Sequence, residues 1–91
     1  MISFTLPKPV VVWATDIDVG VDYASHDPKT LEVTGWCRDN VQHGWSYRTE
    51  AVSAATFTAL GTPTTSCMVR VSVIFDFEHD DDATLFKLKW A

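Results

Sequence analysis

A strict two-residue period between residues 67 and 78 constrains the fold of this chain more than any other feature. The apolar odd positions of this stretch are Cys67, Val69, Val71, Val73, Phe75 and Phe77, and the even positions between them are mostly polar. Successive side chains of a β-strand point to opposite faces of a sheet, so this alternation is typical of a strand with one buried face. The sequence therefore predicts a half-buried strand over residues 67–78.

A second alternating stretch follows almost at once. Its apolar-side positions are Thr84, Phe86, Leu88 and Trp90, which alternate with Leu85, Lys87 and Lys89. The acidic run 79–82 separates the two stretches. Two alternating runs joined by a short polar segment are typical of a β-hairpin, so we predict a C-terminal hairpin with a charged tip.

The N-terminal half carries weaker strand signals. Residues 10–23 place apolar side chains at most odd positions and aspartates at several even ones, which predicts one long strand. Residues 30–37 and 41–48 are predicted to pair as a second hairpin, because the polar residues between them suit a tight turn. Residues 2–6 offer a short first strand.

One helix is predicted, from about Glu50 to Leu60. Thr49 is suited to cap its N-terminus, and Gly61 and Pro63 stand where helices commonly end, before a loop over residues 61–66. Together these elements predict an α+β fold. It consists of a mainly antiparallel sheet of four to six strands with one α-helix, at about residues 50–60, packed on one face.

The composition sets the class of protein. With 91 residues, of which 46% are hydrophobic and 12% aromatic, the chain is expected to form one compact domain over residues 1–91 and not a disordered segment. Its formal net charge is -5, from twelve acidic and seven basic residues, and the basic residues do not cluster. Direct binding to nucleic-acid phosphates is therefore not expected.

The sequence also favours a cytoplasmic location. Only two cysteines occur, Cys37 and Cys67, fewer than small disulfide-dependent secreted domains usually carry. The early apolar run 9–14 is too short for the core of a signal peptide, and no stretch approaches the roughly 20 apolar residues of a membrane span. We expect a protein of the cytoplasm, that of the host cell if the chain is virus-encoded, with no membrane partner.

Acidic side chains form the first candidate site. The residues concerned are Asp16, Asp18, Asp22, Asp80, Asp81 and Asp82. If residues 10–23 form a strand, the first three lie in a line on one face, and the last three load the predicted hairpin tip. A rigid row of carboxylates can compete for a basic groove that normally holds a nucleic-acid backbone. The alternative is a solvated strand face that discourages aggregation.

Aromatic side chains form the second candidate site. Trp36, Trp45 and Tyr47 fall in the predicted central hairpin, and exposed Trp and Tyr commonly anchor protein interfaces. The alternative is that these rings belong to the core, because a domain of this size needs large side chains to bury enough area. A sheet that carries aromatics on both faces satisfies both interpretations.

Catalytic and metal chemistry receive little support. Cys37 and His43 could form a thiolate–imidazole pair across the central hairpin, but free cysteines are most often buried as small hydrophobic residues. The histidines and cysteines show no spacing typical of a metal site. We therefore predict no catalytic residue, no metal and no cofactor.

These observations give one leading functional hypothesis and two alternatives. The leading one is a small acidic, non-enzymatic interaction module of the accessory or inhibitor type, virus-encoded in one version, that binds a partner protein. Its specific form has the acidic surface compete for the nucleic-acid-binding groove of a basic protein. The first alternative is a self-associating structural or assembly subunit that uses exposed aromatics, and the second is a small enzyme or metal protein that uses Cys37 and His43. Either a monomer or a small homo-oligomer is compatible with the sequence.

Overall fold

The computed structural model describes residues 1–58 and 65–90. The elements in chain order are β1 (Ile2–Thr5), β2 (Val10–Ala14), α1 (Ile17–Ser25), α2 (Pro28–Asn40), β3 (Trp45–Thr58), β4 (Thr65–Phe77) and α3 (Asp80–Trp90). The four strands form one antiparallel sheet, which confirms the predicted α+β class and the antiparallel sheet. None of the described helices is long and apolar enough to cross a membrane.

Strand β4 is the centre of the sheet, and every other described strand pairs with it. On one side β1 pairs with its C-terminal part, with Phe4 opposite Phe75, and β2 pairs with its N-terminal part, with Val12 opposite Val69. On the other side β3 runs along the whole of β4, from Trp45 opposite Phe77 onward. The strand predicted over residues 67–78 is therefore confirmed, and it is the strand on which the sheet is built.

The core lies between one face of this sheet and the helices. All six apolar odd positions of β4 are buried, together with Leu6, Val10, Ala24, Val33, Cys37, Ala83 and Phe86. The ring of Phe86 on α3 lies with its centroid 5.0 Å from those of Phe75 and Phe77 and 5.3 Å from that of Phe4. Burying aromatic rings in one cluster stabilises a domain that has little area to bury, since each ring removes about 150–250 Å² from water.

The prediction of one long strand over residues 10–23 is wrong beyond Ala14. Asp16 caps α1, because its carboxylate accepts a hydrogen bond from the backbone N–H of Val19 at 2.8 Å. Gly20 then lets the helix approach the sheet closely, since a Cβ at this position would lie 2.7 Å from Cγ2 of Val69. The apolar odd positions favoured a strand, but the same residues also fit a short helix that begins at a capping aspartate.

The prediction of a strand over residues 30–37 is also wrong, since these residues belong to α2. Asp27 caps the helix by accepting a hydrogen bond from the N–H of Lys29 at 3.0 Å, and Pro28 occupies the first turn, where its missing N–H costs nothing. The buried residues of α2 are Thr30, Val33, Thr34 and Cys37, which follow helical spacing. The predicted hairpin of 30–37 with 41–48 therefore does not exist.

The predicted C-terminal hairpin is wrong as well, because residues 80–90 form α3. Its first turn holds three aspartates and its last turn holds two lysines, which is the charge order that the helix dipole favours. Ala83 and Phe86 are buried, whereas Leu88, counted by the alternation as inward, is 80% exposed. The spacing of three between the buried residues is the helical signal that the two-residue alternation obscured.

The helix predicted over residues 50–60 is wrong over its described part, because residues up to 58 belong to β3. This strand pairs with β4 as far as Thr58 opposite Thr65, with a bulge between Ala51 and Ser53. A long partner strand with a regular hydrogen-bonding edge outweighs the modest helix propensity of three alanines. Residues 59–64, which include most of the predicted loop over 61–66, lie outside the described residues.

The molecule is elongated along the β3–β4 hairpin. Its principal extents are 55 × 19 × 18 Å, and its Cα radius of gyration is 15.5 Å. A spherical domain of this length has a radius of gyration of about 12 Å. The shape follows from two strands of 13 and 14 residues. Because a strand rises about 3.3 Å per residue and a helix about 1.5 Å, these strands extend much further than helices of 9 to 13 residues.

Candidate functional site

The longest exposed backbone feature is the outer edge of β3. This 14-residue strand pairs with β4 along one side, and within the described part of the chain no strand pairs with its other side. In an antiparallel ladder alternate residues direct their N–H and C=O groups away from the partner strand. The outer side of β3 therefore presents a row of backbone donors and acceptors that another strand can use.

The side chains of β3 do little to protect this edge. Natural edge strands are commonly shielded by charged side chains, prolines, bulges or a short length. Strand β3 has a bulge near Val52 and charged side chains only at Arg48 and Glu50. Residues 51–56, Ala-Val-Ser-Ala-Ala-Thr, carry no charge, and most of them are exposed, with Val52 62% exposed. Residues 51–56 of β3 are thus an uncharged and mostly accessible part of the strand edge.

The proximal half of the same edge is charged. Arg48 donates a hydrogen bond from Nη1 to Oε1 of Glu50 at 2.8 Å, and its Nε lies 3.4 Å from Oδ2 of Asp76. Arg48 and Glu50 are both more than half exposed. Because Arg48 and Glu50 are both solvated, their ion pair contributes little to stability on its own. They do place one positive and one negative charge two residues apart on the edge strand.

The open face of the sheet, opposite the helices, carries a row of apolar side chains that reaches the β3 edge. Trp13 on β2 lies opposite Met68 on β4, which lies opposite Ala55 on β3, so one apolar row crosses three strands. Trp13 is 58% exposed and Val11 beside it is 50% exposed. All three helices, in the described part of the chain, pack on the other face, against residues such as Val69 and Phe75. Sequence analysis did not single out Trp13, because residues 10–14 are all apolar and no alternation distinguishes the two faces of β2.

The predicted acidic residues lie in two separate places. Asp16, Asp18 and Asp22 are on α1, and because Asp16 is a cap and the other two are four residues apart, they do not form the predicted straight row along a strand. Asp80 and Asp81 lie in the first turn of α3. Gly20 of α1 packs on Val69, whereas α3 packs on Phe77, eight residues further along β4, so roughly 25 Å separates the two groups.

Asp82 differs from the other predicted acidic residues because it is buried, with 4% exposure. Its carboxylate accepts hydrogen bonds from the backbone N–H groups of His43 at 3.1 Å and Gln42 at 3.4 Å, and it lies 2.9 Å from Nδ1 of His43. The imidazole of His43 in turn stacks on that of His79, with 3.8 Å between ring centroids. Asp82 therefore does not face a partner but holds the segment between α2 and β3 against the start of α3.

The pKa of Asp82 reflects these contacts. Burial disfavours the charged carboxylate, but the hydrogen bonds from the His43 side chain and from the N–H groups of Gln42 and His43 outweigh burial and hold the pKa below its ordinary value. The carboxylate is thus kept charged as a structural acceptor.

The predicted aromatic residues belong mainly to the core side of the sheet. Trp36 on α2 packs edge-on against Phe86 and Trp90. Trp45 and Tyr47 on β3 both stack on Phe75, with ring centroids 6.5 and 5.7 Å apart. Tyr47 remains 38% exposed because β3 is the edge strand. Of the three, Tyr47 is the one that a partner at this edge would meet.

The structure does not pair Cys37 with His43. Cys37 is fully buried on α2, and burial raises the pKa of its thiol to about 12, so the thiolate needed for nucleophilic attack is scarce at neutral pH. His43 is engaged by Asp82 instead. Among residues 1–58 and 65–90, no three His, Cys, Asp or Glu side chains are arranged to hold a metal ion.

A surface cavity of about 370 Å³ lies at the C-terminal end of α3, the end away from Asp82. It is lined by Leu6, Pro7, Lys8, Lys29 and Trp90. The ammonium group of Lys29 lies over the Trp90 ring, 4.5 Å from its centroid. The lining offers cations and apolar surface but no carboxylate, hydroxyl, thiol or imidazole side chain. It therefore lacks the paired groups that acid–base or covalent catalysis requires.

Comparisons of the chain with protein-family models, with curated proteins and with solved structures found no match. The surfaces of the molecule itself are therefore the basis for assigning a function.

Proposed function

We propose that this protein is a non-enzymatic interaction module that binds a protein partner through the free edge of β3. The observation that carries the proposal is the 14-residue strand β3, whose outer side has no partner among the described strands and whose residues 51–56 are uncharged and mostly exposed. An extended segment of a partner can add to such an edge as a further strand, with main-chain hydrogen bonds giving affinity and alternate side chains giving specificity.

The apolar row on the open sheet face also favours the β3 edge as the binding site. Trp13, Met68 and Ala55 lead directly to the β3 edge, so an added strand would place its own side chains at the end of this row. Cross-strand neighbours on one face of a sheet interact favourably when both are apolar. A partner segment with an apolar residue opposite Ala55 would thus gain side-chain contacts as well as backbone hydrogen bonds.

The acidic form of the interaction hypothesis has weaker geometric support. Competition with a nucleic-acid backbone needs closely spaced charges over one surface, whereas the acidic residues of α1 and of α3 lie at different places along the sheet. Each group alone is an ordinary solvated helix end or helix face. The β3 edge, in contrast, extends over one continuous surface.

A cytoplasmic location is part of this proposal. Both cysteines are free and buried, and the interior of the protein is built without a disulfide between described residues. Reduced, buried thiols are usual in proteins of a reducing compartment.

Site-specific photo-crosslinking in a lysate of the source cell tests the proposal. Three variants each carry the photoreactive residue benzoylphenylalanine at one exposed position: at Val52 on β3, at Tyr23 on α1, and at Leu88 on α3. We expect a discrete cross-linked product from position 52 and none from position 88, with sequencing of the product locating the linked segment in an extended part of the partner.

The three positions separate the competing interpretations. A product from position 23 but not from position 52 would favour the acidic helix and contradict the β3 edge. Equal products from all three positions would show nonspecific contact and would also contradict the proposal, as would the absence of any product.

A further inference from the structure

We propose that the strand that adds to β3 is the β3 strand of a second copy of the same chain, paired antiparallel about Thr49. This inference rests on the proposed function, since it names the partner for the same edge. Two identical edge strands related by a two-fold axis pair antiparallel, and each residue then meets the one equally far from the axis on the other side.

The charges near Thr49 are self-complementary in this register. With Thr49 opposite Thr49 of the second copy, Arg48 of each chain lies directly opposite Glu50 of the other. Both residues are more than half exposed and lie on the open face of the sheet, because Arg48 is opposite Ile74 and Glu50 opposite Ser72. Opposite charges directly across an antiparallel pair stabilise it. Because Arg48 already contacts Glu50 of its own chain, each Arg48 of the symmetric dimer lies near two Glu50 carboxylates, one from each copy, and the two facing contacts add to the existing ones.

The side chains on the helix face are also complementary in size. Tyr47 would lie opposite Ala51 of the second copy, and both of these residues are exposed in the single chain. The large ring can therefore cover the small side chain without a clash. This register uses residues 47–51, which precede the bulge at Val52, so the backbone alternation is regular where the two strands meet.

The helices do not obstruct this pairing. Helix α1 packs over Val69, whose neighbour on β3 is Ala54, and α3 packs against β1 and β4 on the far side of the sheet from the β3 edge. In the register centred on Thr49 the two copies of Ala54 lie beyond opposite ends of the paired segment 47–51. The two α1 helices are therefore kept apart, and the two sheets join into one.

The size of the contact predicts a weak dimer. A single strand pair of this length buries less than the roughly 1,200 Å² that marks stable complexes, so association belongs to the transient class. Sedimentation equilibrium between about 10 and 300 µM covers the range in which such complexes form. The wild-type chain is expected to pass from monomer to dimer within this range.

Charge reversal tests the register. Arg48→Glu makes both facing pairs of the dimer acidic, because the new carboxylate lies opposite Glu50 of the other copy. Glu50→Arg makes both pairs basic, because the new guanidinium lies opposite Arg48 of the other copy.

We expect each variant alone to dimerise about tenfold more weakly than the wild type, because two attractions between the copies become two repulsions. An equimolar mixture of the two variants is expected to form a heterodimer, because one chain then carries only carboxylates and the other only guanidinium groups at the two positions.

Asp76→Asn is the matched control. It removes a carboxylate that Arg48 contacts within its own chain but keeps both charged side chains, Arg48 and Glu50, on the β3 edge, so dimerisation should stay close to that of the wild type. Circular dichroism of each variant confirms the fold, and the recovery of association on mixing shows that both charge-reversed chains are folded.

Each other outcome overturns this inference. A wild-type chain that stays monomeric throughout the concentration range excludes the homodimer. A wild-type dimer that both single variants preserve, or whose mixture fails to recover, excludes pairing about Thr49. In either case a cross-link from Val52 to a different protein would leave the proposed function standing, so the two proposals fail separately.

Discussion

At the scale of single residues, Asp82 shows how one side chain connects distant parts of the chain. It sits in the first turn of α3 and accepts hydrogen bonds from residues 42 and 43, which lie 40 and 39 positions earlier in the sequence. A carboxylate in this position also interacts favourably with the helix dipole. Removing it would leave backbone N–H groups without acceptors, which costs more than the loss of the hydrogen bonds themselves.

We predict that this contact makes the stability of the protein sensitive to acid. The pKa of Asp82 is lowered in the folded state, so its contribution is complete above the ordinary pKa of an unfolded aspartate and is lost as the pH falls through the lower, folded-state pKa. In urea unfolding between about pH 2 and pH 7, Asp82→Asn should be less stable than the wild type at neutral pH, and the difference should shrink in acid. Asp81→Asn, at an exposed neighbouring position, is the control: it loses only the favourable helix-dipole interaction of a first-turn aspartate, so it should lower the stability at neutral pH less than Asp82→Asn does. Parallel pH profiles for the wild type and Asp82→Asn would contradict the prediction.

At the scale of elements, the central strand could be predicted from the sequence and the helices could not. Strand β4 is buried on one face from Cys67 to Phe77, so its two-residue period is uninterrupted. The segments of α1 and α3 are short, and a run of nine to eleven residues can satisfy a strand period and a helix period together. The N-caps of α1 at Asp16 and of α2 at Asp27 are local signals that indicate a helix, and both are present in the sequence.

The candidate site is harder to predict than the elements. Whether β3 is an edge or a central strand depends on the order of strands in the sheet, which no local pattern in residues 45–58 records. The alanines of this segment and the turn residues that flank it instead favour a helix. The contact between His43 and Asp82 joins residues 39 positions apart, and no spacing in the sequence reveals it.

Two glycines give matched tests of how α1 and α2 pack. We predict that Gly20→Ala destabilises the protein by about 1–3 kcal/mol, because its Cβ would lie within 2.7 Å of Val69, a fully buried side chain that has no room to move. Gly35→Ala on α2 is the counterpart: no atom beyond its chain neighbours and the adjacent helix backbone lies within 4 Å of the added Cβ, and alanine should stabilise the helix by about 0.5–1 kcal/mol. Urea unfolding followed by tryptophan fluorescence measures both changes. Equal effects of the two substitutions would show that α1 does not pack closely on β4.

At the scale of the whole molecule, shape and charge point to different surfaces. The net charge of -5 suggests an acidic protein, yet the acidic residues are divided between helices that lie far apart on the sheet. The long axis of 55 Å belongs to the β3–β4 hairpin, which is also where the backbone edge is free. An elongated domain of this kind offers more strand edge than a spherical domain with the same number of residues.

This separation yields a prediction that distinguishes an acidic surface from a strand edge. We expect the triple variant Asp16→Asn, Asp18→Asn, Asp22→Asn to leave the cross-linking yield from Val52 unchanged, because these side chains lie on α1, which contacts β2, β3 and β4 on the helix-covered face of the sheet, whereas an added strand bonds to the outer backbone edge of β3. Asparagine also caps helices well, so α1 should persist.

The matched variant Ala54→Lys, which adds to β3 the lysine that protected edges carry, should lower the cross-linking yield from Val52. Both yields are measured by mass spectrometry at low and high salt, since an exposed acidic surface would lose its partner as salt screens the charges beyond about 8–10 Å. Loss of the cross-link in the triple variant, with the Ala54→Lys yield intact, would assign binding to the acidic helix and remove the edge from consideration.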